Sequence, residues 1–143
     1  MGEAVRAGVV GLGMMGGGIA ATLDRAGMLA GVHDARRDVL DGRPELSDRW
    51  ADTPAALAER ADVVFVVVID MPQVEQVVLG PGGLADAGRD AVACVCSTVE
   101  AAAVQDLAAR AAERGVTVVD VDAHQLSLAA VNQYLEIKAR GTL

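Results

Sequence analysis

The chain reads as an α/β protein: a doubly wound, mostly parallel sheet with helices on both faces, plus a C-terminal helix. Three observations lead there. Short Val-rich apolar runs recur at Ala7–Val10, Leu29–His33, Val63–Ile69, Ala91–Cys96 and Val116–Val121. They are continuous rather than alternating, as strands covered on both faces are. Ala-rich segments of helical spacing lie between them, and alternating strand and helix is what βαβ units produce.

The first run leads through Gly11-Leu12-Gly13-Met14-Met15-Gly16 into a helix over Met14–Arg25, where Ile19 and Leu23 stand four apart. After the second run, residues 34–52 are the least regular, with Gly42, Pro44 and many charges. They read as a short helix and loop on the surface. Thr53-Pro54 offers an N-cap and a first-turn proline for a helix reaching Arg60. Ala101–Arg114 is an Ala-rich helix stopped by Gly115. Residues 126–143 place Leu128, Val131 and Leu135 at helical spacing, with Tyr134 and Ile137 nearby. This reads as a terminal helix suited to docking or dimerisation, so that 1–125 form one domain and 126–143 an extension, and a homodimer is expected.

Composition narrows the function. Of 143 residues 52% are hydrophobic but only 2% aromatic, so the core is built from Ala, Val and Leu. The net charge of −8 argues against a nucleic-acid partner, which wants a basic face. No apolar run is long enough to span a bilayer, and no basic stretch precedes an apolar one at the N-terminus, so a soluble, cytoplasmic protein without membrane contact is expected. Cys94 and Cys96 alternate within a strand run and read as buried core thiols; no metal site is expected.

The glycines carry chemistry. Gly11, Gly13 and Gly16 fit G-x-G-x-x-G between a strand and a helix, the context in which that pattern seats a dinucleotide in a Rossmann-type fold. The first glycine permits the tight turn, the second lets the backbone approach a pyrophosphate, and the third packs helix on strand. Gly17 and Gly18 each cost the helix about 1 kcal/mol relative to Ala, which points to close backbone approach. Asp34 ends the second strand eighteen residues beyond Gly16, about where a carboxylate accepts hydrogen bonds from an adenosine ribose. Its charge repels a 2′-phosphate and favours NAD, while Arg36 and Arg37 offer guanidiniums that keep NADP open.

With these pieces assembled, the chain resembles the β-hydroxyacid dehydrogenases of the 3-hydroxyisobutyrate dehydrogenase-like group. "GLGMMGGGIA" at 11–20 is similar to that family's G-L-G-x-M-G-x-x-x-A, and "ADVVFVVVIDMPQVEQVVLG" at 61–80 to a strand and the helix after it. "CSTVE" at 96–100 resembles its D-x-S-T-x-x-P segment. The resemblance covers roughly residues 5–122. It implies that Leu12, Met14 and Met15 line the cofactor with the glycines. It also implies that Val68 and Ile69 lie beside the cofactor, that Val74 flanks the adenosine, and that Ser97 and Thr98 approach the nicotinamide. Ile69 stands where the family usually has proline.

The resemblance weakens towards the C-terminus. The family's D-A-P-V-S-G-G, whose serine and glycines contact substrate, is replaced by "DVDAHQLSLAAVNQ" from residue 120. In "AAVNQYL" at 129–135, similar to the start of the family's long helix, Ala129 takes the place of the catalytic lysine. The family then continues into an all-helical domain that lies past Leu143.

Three readings therefore stand side by side. One is an NAD(P)-dependent dehydrogenase or reductase of a small hydroxyacid or oxoacid, with Asp122 and His124 as acid/base candidates near the nicotinamide. The second is a dinucleotide-binding module without turnover, a sensor or subunit. The third is a piece of a larger dehydrogenase.

Overall fold

Each strand runs parallel to its neighbours, in the order β2-β1-β3-β4-β5. The strands are β1 Ala7–Val10, β2 Leu29–His33, β3 Val63–Val66, β4 Ala91–Val95 and β5 Val116–Asp120. The computed structural model describes residues 5–121 apart from Thr98. Asp122, His124 and the helix expected over 126–143 lie outside the described residues. Among the described residues no helix is long and apolar enough to cross a membrane.

The sheet is covered on both sides, as the continuous Val runs imply; β1, β3 and β4 are buried along their whole length. On one face, Ala20 and Leu23 of α1 (Met14–Arg25) pack with Val9, Phe65 and Cys94. On the other, Leu57 of α2 (Pro54–Ala58), Val74 and Val78 of α3 (Met71–Leu79) and Leu107 of α4 (Ala101–Ala112) pack with Val10, Val64, Val66 and Val95. Thr53 caps α2 through its hydroxyl, which accepts from the Ala56 N–H at 3.0 Å, and Pro54 opens its first turn. Gly115 ends the α4 connection with φ +84.

Cys94 and Cys96 are both buried among these residues. Burial, and secondarily the charge of Asp120, pushes the Cys96 thiol up to about 12. It stays protonated at neutral pH, an inert core group rather than a nucleophile.

Element ends shift by a residue or two, with α2 stopping at Ala58 rather than Arg60 and α4 at Ala112 rather than Arg114, and two segments differ further from the sequence reading. Residues 34–52 are not merely a surface loop. They form two 3-10 turns, Arg37–Gly42 and Pro44–Arg49, whose Leu40 and Leu46 are buried in the α1-side core. Trp50 then bridges to Val32 outside β2, and the Ala51 N–H donates to the Val32 carbonyl at 2.8 Å. Six-stranded dinucleotide-binding sheets have a full strand at that outer position; here a single bridging residue remains. The other difference is β3, which ends at Val66 rather than Ile69. The Val67 N–H still reaches the Val10 carbonyl at 2.8 Å, but the Val68 N–H turns to the Ser97 hydroxyl at 3.0 Å and the chain leaves the sheet.

The strand order reverses beside β1: the chain steps out to β2, returns past β1 to β3, and continues outward. Ligands of open α/β sheets bind at the carboxyl ends flanking such a reversal. One packing contact fixes helix against sheet in this region. Gly8 and Gly31 pair across β1 and β2, and a Cβ on either would come within 2.9 Å of the Leu57 side chain, which fills the space they leave. Leu57 is fully buried. Leu57→Ala is expected to cost about 3 kcal/mol of unfolding free energy by urea titration; a loss under about 1 kcal/mol would contradict this packing role.

Candidate functional site

The site grows from the turn after β1. Gly11 adopts φ +98, a conformation open to glycine, and its N–H donates to the His33 carbonyl at 2.9 Å. A side chain on Gly11 would overlap the Val67 carbonyl, and one on Gly16 would overlap the carbonyl of Gly11. These two glycines are therefore demanded by the protein's own backbone. Gly13 is different: a Cβ there meets no protein atom within 4 Å.

Gly13 is the N-cap of α1, with no side-chain hydrogen bond capping the helix and no acid in its first turn. The N–H groups of Met14, Met15 and Gly16 thus have no acceptor within the helix, and they sit at its positive end. Open space over a positive helix end is the arrangement that receives a phosphate. Met14 is 93% exposed and Met15 is also exposed, so the loop keeps its outer face to solvent. The two further glycines part company. A Cβ on Gly17 would overlap the Arg43 guanidinium, whereas Gly18 is exposed and faces nothing within 4 Å. Nothing in the structure explains a glycine at 18.

Asp34 is tied into this loop. Its Oδ2 accepts from the Leu12 N–H at 2.7 Å and its Oδ1 from the Arg36 N–H at 2.9 Å. One bond on each oxygen leaves further lone pairs on both. Leu12 itself is buried, so it contributes its N–H and its packing rather than a surface. The Arg36 guanidinium bonds Asp38 at 2.8 Å, and this exposed pairing holds the arginine above its usual range and Asp38 below its own. Arg37 lies 3.8 Å from Asp52 and over the Trp50 ring. The His33 Nδ1 lies 2.8 Å from the Ala51 carbonyl, which anchors the end of β2.

Across the strand-order reversal, the loops after β3 and β4 meet. Ser97, only 6% exposed, accepts from the Val68 N–H. Ile69 is thrown outward and is 81% exposed. Its position is set by a feature the sequence reading missed. Asp70 caps α3 by accepting from the Gln73 N–H at 3.1 Å, and Gln73 Oε1 accepts from the Ile69 N–H at 2.8 Å. The D-x-x-Q spacing at 70–73 is the signal for a capping box, here with the Gln reaching one residue further back, to Ile69. Val74 is fully buried in the α3-side core, so it offers no surface to an adenosine. Thr98 lies outside the described residues. The structure therefore brings Gly11–Gly16, Asp34, Val68, Ile69 and Ser97 to the carboxyl end of the sheet and sets Val74 beneath it.

Residues 6–123 match the NAD binding domain of 6-phosphogluconate dehydrogenase. The chain belongs to that family. It is 38% identical over 121 residues to L-threonate dehydrogenase of Cupriavidus necator, covering 79% of this chain and 38% of that protein. It is 33% identical over 112 residues to 3-hydroxyisobutyrate dehydrogenase of Pseudomonas aeruginosa, covering 78% and 38%. Among solved structures, a 3-hydroxyisobutyrate dehydrogenase from Salmonella typhimurium superposes with a TM-score of 0.66 at 27% identity, over 80% of this chain and 40% of that one. The NAD-binding domain thus spans about two fifths of the length of each of these relatives.

The geometry separates the glycines by role. Gly18→Ala is expected to raise unfolding stability by about 1 kcal/mol, since only helix propensity changes. Gly11→Ala is expected to lower it by roughly 2–5 kcal/mol through the positive φ and the Val67 carbonyl. Thermal unfolding of both variants checks this; like effects in the two would contradict the separation.

Proposed function

We propose that this NAD-binding domain seats NAD at Gly11–Gly16 and Asp34, as the cofactor-holding part of a dehydrogenase acting on a small hydroxyacid or oxoacid. The observation that carries the reading is the open space at Gly13, set over the uncapped positive end of α1. The residues fit the cofactor: first-turn N–H groups for the pyrophosphate, and spare lone pairs on Asp34 for the ribose hydroxyls. Val68, Ile69 and Ser97 would flank the route towards the nicotinamide. When bound, that ring supplies the hydride chemistry. What this chain's residues do is bind and orient.

Asp34 favours NAD over NADP, because a 2′-phosphate would meet its negative charge while the nearby Arg36 guanidinium is engaged by Asp38. The substrate class rests on the dehydrogenases to which the chain is similar. Asp122 and His124 are proposed as acid/base groups on sequence position alone. A binding module without turnover is favoured by two features of the sequence, Ala129 in the lysine's place and the absence of Ser-Gly-Gly in the stretch from residue 120. The same reading places the protein in the cytoplasm. It takes 1–125 as the cofactor domain and 126–143 as a docking or dimer-forming extension. Sedimentation with and without 126–143 is expected to shift from dimer to monomer; a monomer in both removes the dimer.

Binding of NADH, followed by its fluorescence, tests the seat. Gly13→Val is expected to abolish binding with the unfolding midpoint little changed, since its side chain enters space that only a ligand would use. Unchanged affinity would remove the pyrophosphate assignment. Asp34→Ala is expected to weaken NADH about tenfold, as loss of a charge-assisted pair of hydrogen bonds implies, and NADPH less. An equal loss for both would show that the carboxylate does not read the ribose. In wild type, oxidation of NADH with a panel of 2- and 3-oxoacids separates the enzyme from the module: turnover supports the first, binding without turnover the second.

A further inference from the structure

The Arg43 side chain has no part in the site as described, and its surroundings are unusual. It sits between the two 3-10 turns, half-buried, and its guanidinium lies against the α1 backbone at Gly17, in the space a Cβ would take. Among the described residues that guanidinium has no hydrogen-bond or ion-pair partner, although Asp41 and Glu45 flank it in sequence. The other described arginines, the exposed Arg6 aside, each have one. A guanidinium laid against backbone with no acceptor of its own keeps its N–H donors for an anion.

The position says where that anion would be. Gly17 lies one helical turn beyond Gly13, and its N–H bonds the Gly13 carbonyl at 2.8 Å, so the two share a face of α1. Gly13 is the open end of that face. Arg43 therefore meets α1 one helical turn from Gly13, on the side of the segment that follows β2. A planar cation one helical turn from uncapped N–H groups is suited to phosphate oxygens, which it can contact through two N–H groups at once.

We propose that Arg43 is a phosphate ligand of the bound dinucleotide, admitted against α1 because Gly17 has no side chain. The inference rests on the proposed seat. It explains the fourth glycine of the run, which the G-x-G-x-x-G pattern does not require.

The test is titration of the full chain with NADH and with NADPH, in wild type, Arg43→Gln, Arg43→Lys and Gly17→Ala. Arg43→Gln is expected to weaken binding roughly tenfold, the usual scale for losing a charged hydrogen bond. It should also flatten the salt dependence of affinity. Arg43→Lys, which keeps the charge without the planar fork, is expected to fall between. Gly17→Ala is expected to weaken binding in the same direction while its helix gains propensity, a pairing of signs that damage to the fold would not give.

Equal losses for the two cofactors place Arg43 on the pyrophosphate, and a loss confined to NADPH places it on the 2′-phosphate; either supports a phosphate ligand. Wild-type binding with unchanged affinities in Arg43→Gln and Gly17→Ala overturns this inference and leaves the seat intact. Absence of binding in wild type overturns both.

Discussion

The backbone turn at Gly11 is the constraint on which the site depends. Its positive φ carries the chain from β1 into α1 in a space walled by the Val67 carbonyl, and Gly16 closes on the Gly11 carbonyl from the helix side. The same residue's N–H is held by the end of β2 through His33. Four elements, β1, α1, β2 and β3, are thus fixed relative to one another at one point. No side chain makes that junction, so it holds to backbone tolerance. Everything offered to a ligand is built outward from it: the uncapped N–H groups of α1, the Asp34 carboxylate and the Val68 loop.

Asp34 is placed to serve structure and, in the proposed seat, function together. Its bond to the Leu12 N–H fastens the glycine loop to the end of β2, which sets the loop's shape before any ligand arrives. The lone pairs left over are the ones the proposed ribose contact would use. In the proposed seat the acid would also bear on cofactor choice, because both its oxygens accept from backbone N–H groups and, among the described residues, it forms no ion pair. Preorganisation of this kind lowers what binding must spend on ordering the loop.

Much of the fold was legible in the sequence, for a physical reason. Two-sided burial forces continuous Val runs, and these marked all five strands to within a few residues. The glycine spacing marked the turn because backbone crowding at 11 and 16 excludes any other residue. Residues 34–52 were harder. Their buried Leu40 and Leu46 fall in 3-10 turns that leave no helical or strand period, and a single bridge at Trp50 has no pattern at all.

Positions carried over from the resemblance gave places along the chain but not directions. Ile69 is exposed, while Val74, five residues on, is buried on the inner face of α3. Arg43 left no local signature, because its contact is with a helix far back in the chain. The trace it leaves in sequence is at its partner, in the glycine at 17.

The most direct measurement is an amide nuclear magnetic resonance titration of the chain with NADH. The account predicts that the largest shifts fall on Gly13, Met14, Met15 and Gly16, with smaller ones at Leu12 and Val68, while α4 amides stay still. Binding that leaves the Gly13–Gly16 amides unmoved, or shifts centred on α4, would contradict it.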